Sequence, residues 1–150
     1  MIYDALREHF AAGGLEVEEH PEQGWVATDG FGEHGSWLLV GQAYEDRGQA
    51  AVFSVLPEHV PAERRAAVAE LLTRINYGLI VGAFVIDLDD GEVRLRAAID
   101  LGGQAPTDAL LRPLTATALL QFDRWLPAMR AVIGGEEPSA AFARGTAARG

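Results

Sequence analysis

Apolar residues recur at helical spacing in three segments of the chain, within residues 2–12, 64–76 and 107–133. Residues four apart lie on the same side of a helix, so each repeat predicts an amphipathic helix. Gly13-Gly14 should end the first helix and Asn76-Tyr77-Gly78 the second, because glycine tolerates the backbone conformation common at helix C-termini. The apolar faces predicted in this way are Ile2, Leu6 and Phe10, then Val68, Leu71, Leu72 and Ile75, and finally Leu114, Ala118, Phe122, Trp125 and Met129.

Prolines divide the third helical segment. Thr107 or Asp108 can cap a short helix, and Pro113 can begin a second, longer helix, because a proline ring presets the backbone of a first helical turn. Pro127 lies inside the longer helix and predicts a kink, since proline removes one backbone hydrogen bond there. We therefore expect two helices in this segment rather than one straight helix.

Between the first and second helices the pattern changes to that of strands. Residues 15–20 alternate leucine or valine with glutamate, which is typical of a half-buried strand. A glycine-rich region follows, and then residues 36–45 and 49–57 form two apolar runs around the turn residues 46–48. We predict two antiparallel strands there, so that three or four strands precede the second helix, and two more strands within residues 79–100.

Helices separated by runs of antiparallel strands predict an α+β fold, with a single antiparallel sheet and flanking helices. After the last helix, residues 135–150 are mostly small or polar and include a proline. We expect them to form a flexible tail behind one domain of residues 1–134.

The predicted hairpin within residues 79–100 contains the strongest turn signal. Asp90-Gly91 stands between alternating apolar residues, which predicts a two-residue turn of type I′. In that register Asp87 lies opposite Arg94, and the charged residues share one face of the hairpin. The residues expected to face the core are Phe84, Ile86, Leu88 and Ile99.

Composition narrows the possible functions. The 150 residues include 12 basic and 22 acidic side chains, a net charge of −10, which argues against binding to nucleic acid or anionic membranes. There is no cysteine or lysine, which excludes thiol nucleophiles, cysteine-bound zinc and lysine Schiff bases. The N-terminus lacks an apolar signal core, and no stretch is long and uncharged enough to span a bilayer. We therefore predict a soluble cytoplasmic protein.

Three short motifs could carry chemistry, and each has a simpler structural explanation. The sequence "GFGEHG" at residues 30–35 matches a nucleotide-binding pattern, but a strand rather than a helix should follow it. The sequence "EVEEHPE" could place Glu18, His20 and Glu22 on one strand face as a metal patch, although an acidic strand edge is favoured. The sequence "DLDDGE" at residues 87–92 resembles a calcium loop, but its glycine comes one position early. We predict no catalytic residue, no metal site and no cofactor.

Two stretches of the chain resemble the YbjN family. They are "FSVLPEHVPAERRAAVAELLTRINYGLIVGAFVIDLDDGEVRLRAAID" from residue 53 and "FDRWLPAMRAVIGG" from residue 122. The resemblance implies a fold like that of type III secretion chaperones, with the order α-β-β-β-α-β-β-α, and a role as a bacterial sensory transduction regulator. It implies no catalytic residue. The residues that match the family pattern are Asn76, Gly78, Gly82, Phe84, Asp87, Gly91, Glu92 and Arg94.

These observations predict a non-enzymatic, homodimeric protein that binds a protein or peptide partner through its sheet face or through a helix–sheet groove. The candidate partner-binding residues lie on the charged face of the hairpin. They are Asp87, Arg94, Arg96 and Asp100. Arg96 beside Val85 and Asp100 beside Val81 are the two charges that strand pairing leaves unexplained.

Two other functions stay open at the level of the sequence. A small-ligand sensor or a carboxylate-dependent hydrolase would need a deep pocket in which polar or acidic groups converge. A structural subunit of an assembly would need one large apolar interface.

Overall fold

A computed structural model describes residues 1–148, which contain four helices and six strands. Short 3-10 turns occupy Glu45–Arg47 and Ala62–Arg64. All six strands pair antiparallel in one sheet, which confirms the predicted α+β class with a single antiparallel sheet. In chain order the elements are α1 (Ile2–Ala11), β1 (Glu18–His20), β2 (Trp25–Gly32), β3 (Gly35–Tyr44), β4 (Gln49–Val55), α2 (Arg65–Asn76), β5 (Ala83–Ile86), β6 (Val93–Asp100), α3 (Asp108–Ile133) and α4 (Pro138–Ala147).

The sheet has one buried face and one face that none of the described helices covers. Its strand order is β1-β2-β3-β4-β6-β5. Side chains alternate between the two faces of a strand, and in β6 Leu95 and Ala97 are buried whereas Arg96 and Ala98 are exposed. Buried strand residues pack with residues of all four helices in two core clusters. The helices therefore form one layer, and the opposite side of the sheet is open.

The helices bury the faces that their spacing predicts. In α1 the side chain of Leu6 is fully buried, and in α3 Phe122 is as well. Burying one such side chain stabilises the fold by about 1.5–3 kcal/mol. The other predicted positions are also buried, namely Ile2, Phe10, Val68, Leu71, Leu72, Ile75, Leu114, Ala118, Trp125 and Met129.

Four strands precede α2, which lies within the three or four that the pattern predicts and is one more than the order implied by the family resemblance, because the glycine-rich region forms β2 and not a loop. The glycines of β2 suggested a turn, but they make room for close neighbours. A side chain at Gly30 would meet Trp37 and Leu119, and one at Gly32 would meet Asp123 of α3. The "GFGEHG" motif is therefore the end of β2, a tight turn and the start of β3.

The predicted division of the third helical segment at Pro113 is wrong, because α3 is a single helix with both prolines inside it. Thr107 caps it, accepting a hydrogen bond from the backbone N–H of Leu110 at 3.3 Å. Pro127 cannot donate to the carbonyl of Asp123, and the imidazole Nδ1 of His34 hydrogen-bonds that carbonyl at 3.0 Å instead. The helix continues because another group replaces the missing donor.

The predicted flexible tail is wrong for residues 138–147, which form α4. The ring of Phe142 stacks on Trp125 of α3 with centroids 5.5 Å apart, and Ala141 is fully buried in the core. Small residues suggested a loose segment, but at Gly145 a side chain would collide with the ring of Trp125. Their small size lets α4 lie close to α3. Residues 149–150 of the predicted tail lie outside the described part of the chain.

The predicted hairpin register is wrong by two residues. Val85 lies opposite Arg94, and Ala83 lies opposite Arg96. The turn is longer than predicted, since the N–H of Asp87 donates to the carbonyl of Glu92 at 2.9 Å and the connecting residues lie between them. A shift by two keeps each side chain on its predicted face, so the division into a core face and a charged face survives.

The longer turn packs against the start of α2 and the segment before it, which explains the shift. Arg65 donates to the carbonyls of Leu88 and Asp89, and the N–H of Val60 donates to the carbonyl of Gly91 at 2.8 Å. Gly91 has a φ of 81°, and a side chain there would collide with Val60. Leu88 is consequently exposed and not part of the core as predicted.

Candidate partner-binding site

The structure brings three of the four predicted binding residues onto one strand and separates the fourth. Arg94, Arg96 and Asp100 lie along the open face of β6, whereas Asp87 lies in the turn at the far end of the hairpin. The predicted pair between Asp87 and Arg94 is absent from the described contacts. Arg94 instead forms an ion pair with Glu92, and its guanidinium lies 5.3 Å from the ring centre of Phe53.

Arg96 and Asp100 line a concavity on the open face of the sheet, with a volume of about 360 Å³. Ala51 of β4 lies opposite Ala98 of β6, and these small side chains leave a low floor between longer ones. The longer side chains around this floor are Tyr44, Arg47, Gln49, Arg96 and Asp100. We call this feature the Arg47–Arg96 concavity.

Asp100 is held in place at the edge of the concavity. The backbone N–H of Gly102 and the side-chain amide of Gln49 donate to its carboxylate at 3.0 and 3.2 Å. Both hydrogen bonds favour the ionised form and lower the pKa of the Asp100 carboxyl group. The predicted pairing of Asp100 with Val81 is wrong, because β5 begins only at Ala83. The strand neighbour of Asp100 is Gln49 of β4.

The sequence did not indicate that Tyr44 and Arg47 belong to the same site as Arg96 and Asp100. Tyr44 ends β3 and Arg47 lies in the turn before β4, about fifty residues from Arg96 in the chain. They meet Arg96 because β4 pairs with β6, and that pairing joins strands on either side of α2. A hairpin signal reports only on neighbouring strands, so it could not reveal this contact.

The open face also carries apolar residues at outward positions. The row that contains Arg96 continues through Phe53 of β4 and Val40 of β3. Leu38 points to the same side and is 42% exposed, and its strand neighbour Val55 is half-buried. A sheet face that only meets water is usually polar, so the outward apolar residues make this face a candidate for contact with another molecule.

A second group of exposed apolar side chains lies in the loop between α2 and β5. Tyr77 is 97% exposed, Ile80 is 98% exposed, and Val81 is also exposed. Large apolar side chains that are exposed to water contribute no burial energy to the fold, so a group of them is informative. This loop is therefore a second surface suited to contact with another molecule.

An apolar cavity of about 260 Å³ lies between α1, α3 and β2. Phe10, Leu39 and Leu119 form part of its wall, and His9 lies at its edge. The imidazole of His9 is already engaged, with Nδ1 at 2.7 Å from Asp108 and Nε2 at 2.8 Å from the hydroxyl of Thr115. The cavity could hold an apolar group, but its edge presents no unoccupied ring nitrogen for acid–base chemistry.

The other motifs have structural roles. His20 hydrogen-bonds Glu18, which lies on the same face of β1. Its ring stacks on that of its β2 neighbour Trp25, with ring centroids 3.7 Å apart. Among residues 1–148, no three histidine, aspartate or glutamate side chains are placed to hold a metal ion. Nor does the described part of the chain contain a helix both long and apolar enough to cross a membrane.

The fold and its surface define a small α+β protein with a one-sided sheet and an uncovered face that is partly apolar. Comparison with protein-family models gives a match over residues 3–131, to the family described as "Putative bacterial sensory transduction regulator". The chain therefore belongs to the YbjN family, as the resemblance of residues 53–135 implied. A search of curated proteins found no significant match.

Proposed function

We propose that this protein is a non-enzymatic regulator of the bacterial cytoplasm that binds a protein partner on the open face of its sheet. The observation that carries the proposal is the set of outward apolar side chains, above all Leu38. They share the open face with Arg96, whose guanidinium has no hydrogen bond or ion pair within residues 1–148. The family description as a sensory transduction regulator supports a role in recognition and not in catalysis.

The open face is large enough for a specific contact. The six strands contain 40 residues, and each residue covers about 3.3 Å along its strand and about 4.8 Å across it, so the sheet presents a flat area of roughly 600 Å² before side chains add to it. One partner in a typical specific interface contributes about 800 Å² of accessible surface. The sheet face therefore accounts for most of the area that such a partner needs.

The test is affinity capture from bacterial lysate with matched variants. Leu38→Asp and the Arg94→Glu, Arg96→Glu double variant change the open face, whereas Leu120→Asp changes an exposed leucine on α3. We expect the wild type and Leu120→Asp to capture the same proteins and both face variants to lose at least one of them. Identical captured sets for all four would contradict the proposal.

We also propose that the protein is a homodimer. The exposed side chains of Tyr77, Ile80 and Val81 favour this, since a second copy could cover them without occupying the sheet face. Solution mass by light scattering should equal two chains for the wild type and shift toward one chain for Tyr77→Ser, Ile80→Ser. A wild-type monomer would overturn the dimer and leave the sheet-face proposal standing.

A second candidate function is the sensing of a small apolar ligand, which the cavity beside Phe10 and Leu119 favours. A ligand in that cavity should raise the melting temperature, because it binds only the folded state. The increase should disappear in Leu119→Trp, which fills the cavity. A screen of apolar compounds that leaves the melting temperature unchanged would count against this candidate.

A further inference from the structure

Two arginines without an internal partner lie at the same concavity. The guanidinium groups of Arg47 and Arg96 form no hydrogen bond or ion pair within residues 1–148, whereas the guanidinium of every other arginine of that part of the chain has such a contact. The chain holds 22 acidic residues, so carboxylates are not scarce. That the two unpaired guanidinium groups share one site suggests that their partner is external.

The charges of the concavity fit one carboxylate better than a phosphate. Guanidinium groups bind both anions through paired hydrogen bonds. Asp100 stands in the same concavity and is fixed by Gly102 and Gln49. Two arginines and one ionised aspartate leave a net charge of +1, which one carboxylate neutralises. A phosphate dianion would leave excess negative charge beside Asp100.

The surroundings of the concavity favour a carboxylate that belongs to a larger molecule. Arg96 is exposed, and exposed ion pairs contribute less than about 1 kcal/mol each because water and salt screen them. A free small acid would therefore bind weakly. A carboxylate on a partner already held by Leu38 and Val40 would arrive at a high effective concentration.

The charge of the whole protein restricts the rest of the partner. A net charge of −10 repels an acidic molecule at long range, so a strongly acidic segment would associate slowly. We infer that the Arg47–Arg96 concavity receives a single Asp or Glu side chain from an otherwise neutral or basic segment of a partner protein. This inference rests on the proposed binding to the sheet face and names the chemistry of that contact.

Acetate tests the carboxylate site without knowledge of the partner. Each arginine gives its own Nε–H signal in a nitrogen-15 correlation spectrum, and sodium acetate can be compared with sodium chloride at equal ionic strength. Because a free acid should bind weakly, acetate is raised to high concentration, where we expect it to shift the signals of Arg47 and Arg96 clearly further than chloride does. Arg74, which is paired with Glu70, should move no more in acetate than in chloride. Equal shifts with both salts, or at all three arginines, would overturn the inference.

Variants test the charge argument. Arg96→Gln should abolish the acetate-specific shift at Arg47, while the control Arg74→Gln should leave it unchanged. Asp100→Asn removes the negative charge and should increase the affinity for phosphate several-fold more than the affinity for acetate. An Asp100→Asn protein with the wild-type preference would contradict the role given to Asp100.

The capture experiment separates this inference from the proposed function. If Leu38→Asp loses a captured protein and Arg96→Gln loses the same one, both claims gain support. Loss with Leu38→Asp alone overturns the carboxylate contact and leaves sheet-face binding intact, even where acetate binds. Loss with neither variant contradicts the proposed function itself, and the inference about a partner then fails with it.

Discussion

At the scale of single residues, Ser54 shows how an apparent anomaly in the sequence becomes a structural contact. It is a serine inside an apolar strand, and its side chain is fully buried. Its hydroxyl accepts a hydrogen bond from the indole N–H of Trp37 at 2.9 Å and donates to the carbonyl of Ala118 at 2.6 Å. One hydroxyl thus joins β3, β4 and α3, and it leaves no polar group of this trio unsatisfied.

Ser54→Ala should destabilise the protein by about 1–3 kcal/mol, because the buried N–H of Trp37 would lose its acceptor. Urea unfolding followed by circular dichroism measures this difference. Ser36→Ala, at an exposed position of β3, is the matched control and should change the free energy of unfolding by less than about 0.5 kcal/mol. Equal stabilities of the two variants would show that the hydrogen bond contributes nothing.

At the scale of elements, α1 depends on a residue from elsewhere in the chain for its cap. The carboxylate of Glu45 accepts hydrogen bonds from the backbone N–H groups of Ile2 and Tyr3 at 3.1 and 2.9 Å. Burial of Glu45 acts to raise its pKa, but these hydrogen bonds outweigh burial and lower the pKa. The turn between β3 and β4 is thereby tied to the start of α1.

This cap makes part of the stability depend on pH. Because the folded pKa of Glu45 lies below the unfolded value, the contribution is present above the unfolded pKa and is lost as pH falls through the folded pKa. Glu45→Gln should cost about 0.5–1 kcal/mol at neutral pH and progressively less in acid. Urea unfolding at several pH values checks this, and a difference independent of pH would contradict it.

The packing of α4 gives a second prediction about an element. Phe142→Ala should cost about 1–3 kcal/mol, because the half-buried ring stacks on Trp125. Ala143→Ser, on the exposed side of α4, is the control and should have little effect. If Phe142→Ala unfolds at the wild-type urea concentration, residues 138–147 do not contribute to the fold.

The elements that the sequence predicted correctly are those whose pattern is local. The spacing of Ile2, Leu6 and Phe10 defines a helical face without any knowledge of the sheet. The hairpin register failed because Arg65 and Val60, which hold the turn, lie far away in the chain. β2 and α4 were missed for a related reason, since their glycines leave room for Trp37, Asp123 and Trp125, which lie on other elements.

At the scale of the whole molecule, the decisive feature is the arrangement of helices on one side of the sheet. Alternation along β6 predicted that Arg96 and Asp100 point away from the core, and they do. It could not predict what lies beside them, because the pairing of β4 with β6 brings together residues far apart in the chain. The open face, with Leu38, Val40 and Arg96 on the same side, exists only in the assembled sheet.

Site-specific photo-crosslinking in living bacteria tests the central claim, partner binding on the open sheet face, most directly. A photoreactive phenylalanine analogue replaces Leu38 on that face or, as the control, Leu120 on the exposed side of α3. We predict a light-dependent protein adduct of defined mass from position 38 and none of that mass from position 120. An adduct from position 120 alone, or from neither position, would contradict partner binding on the open sheet face.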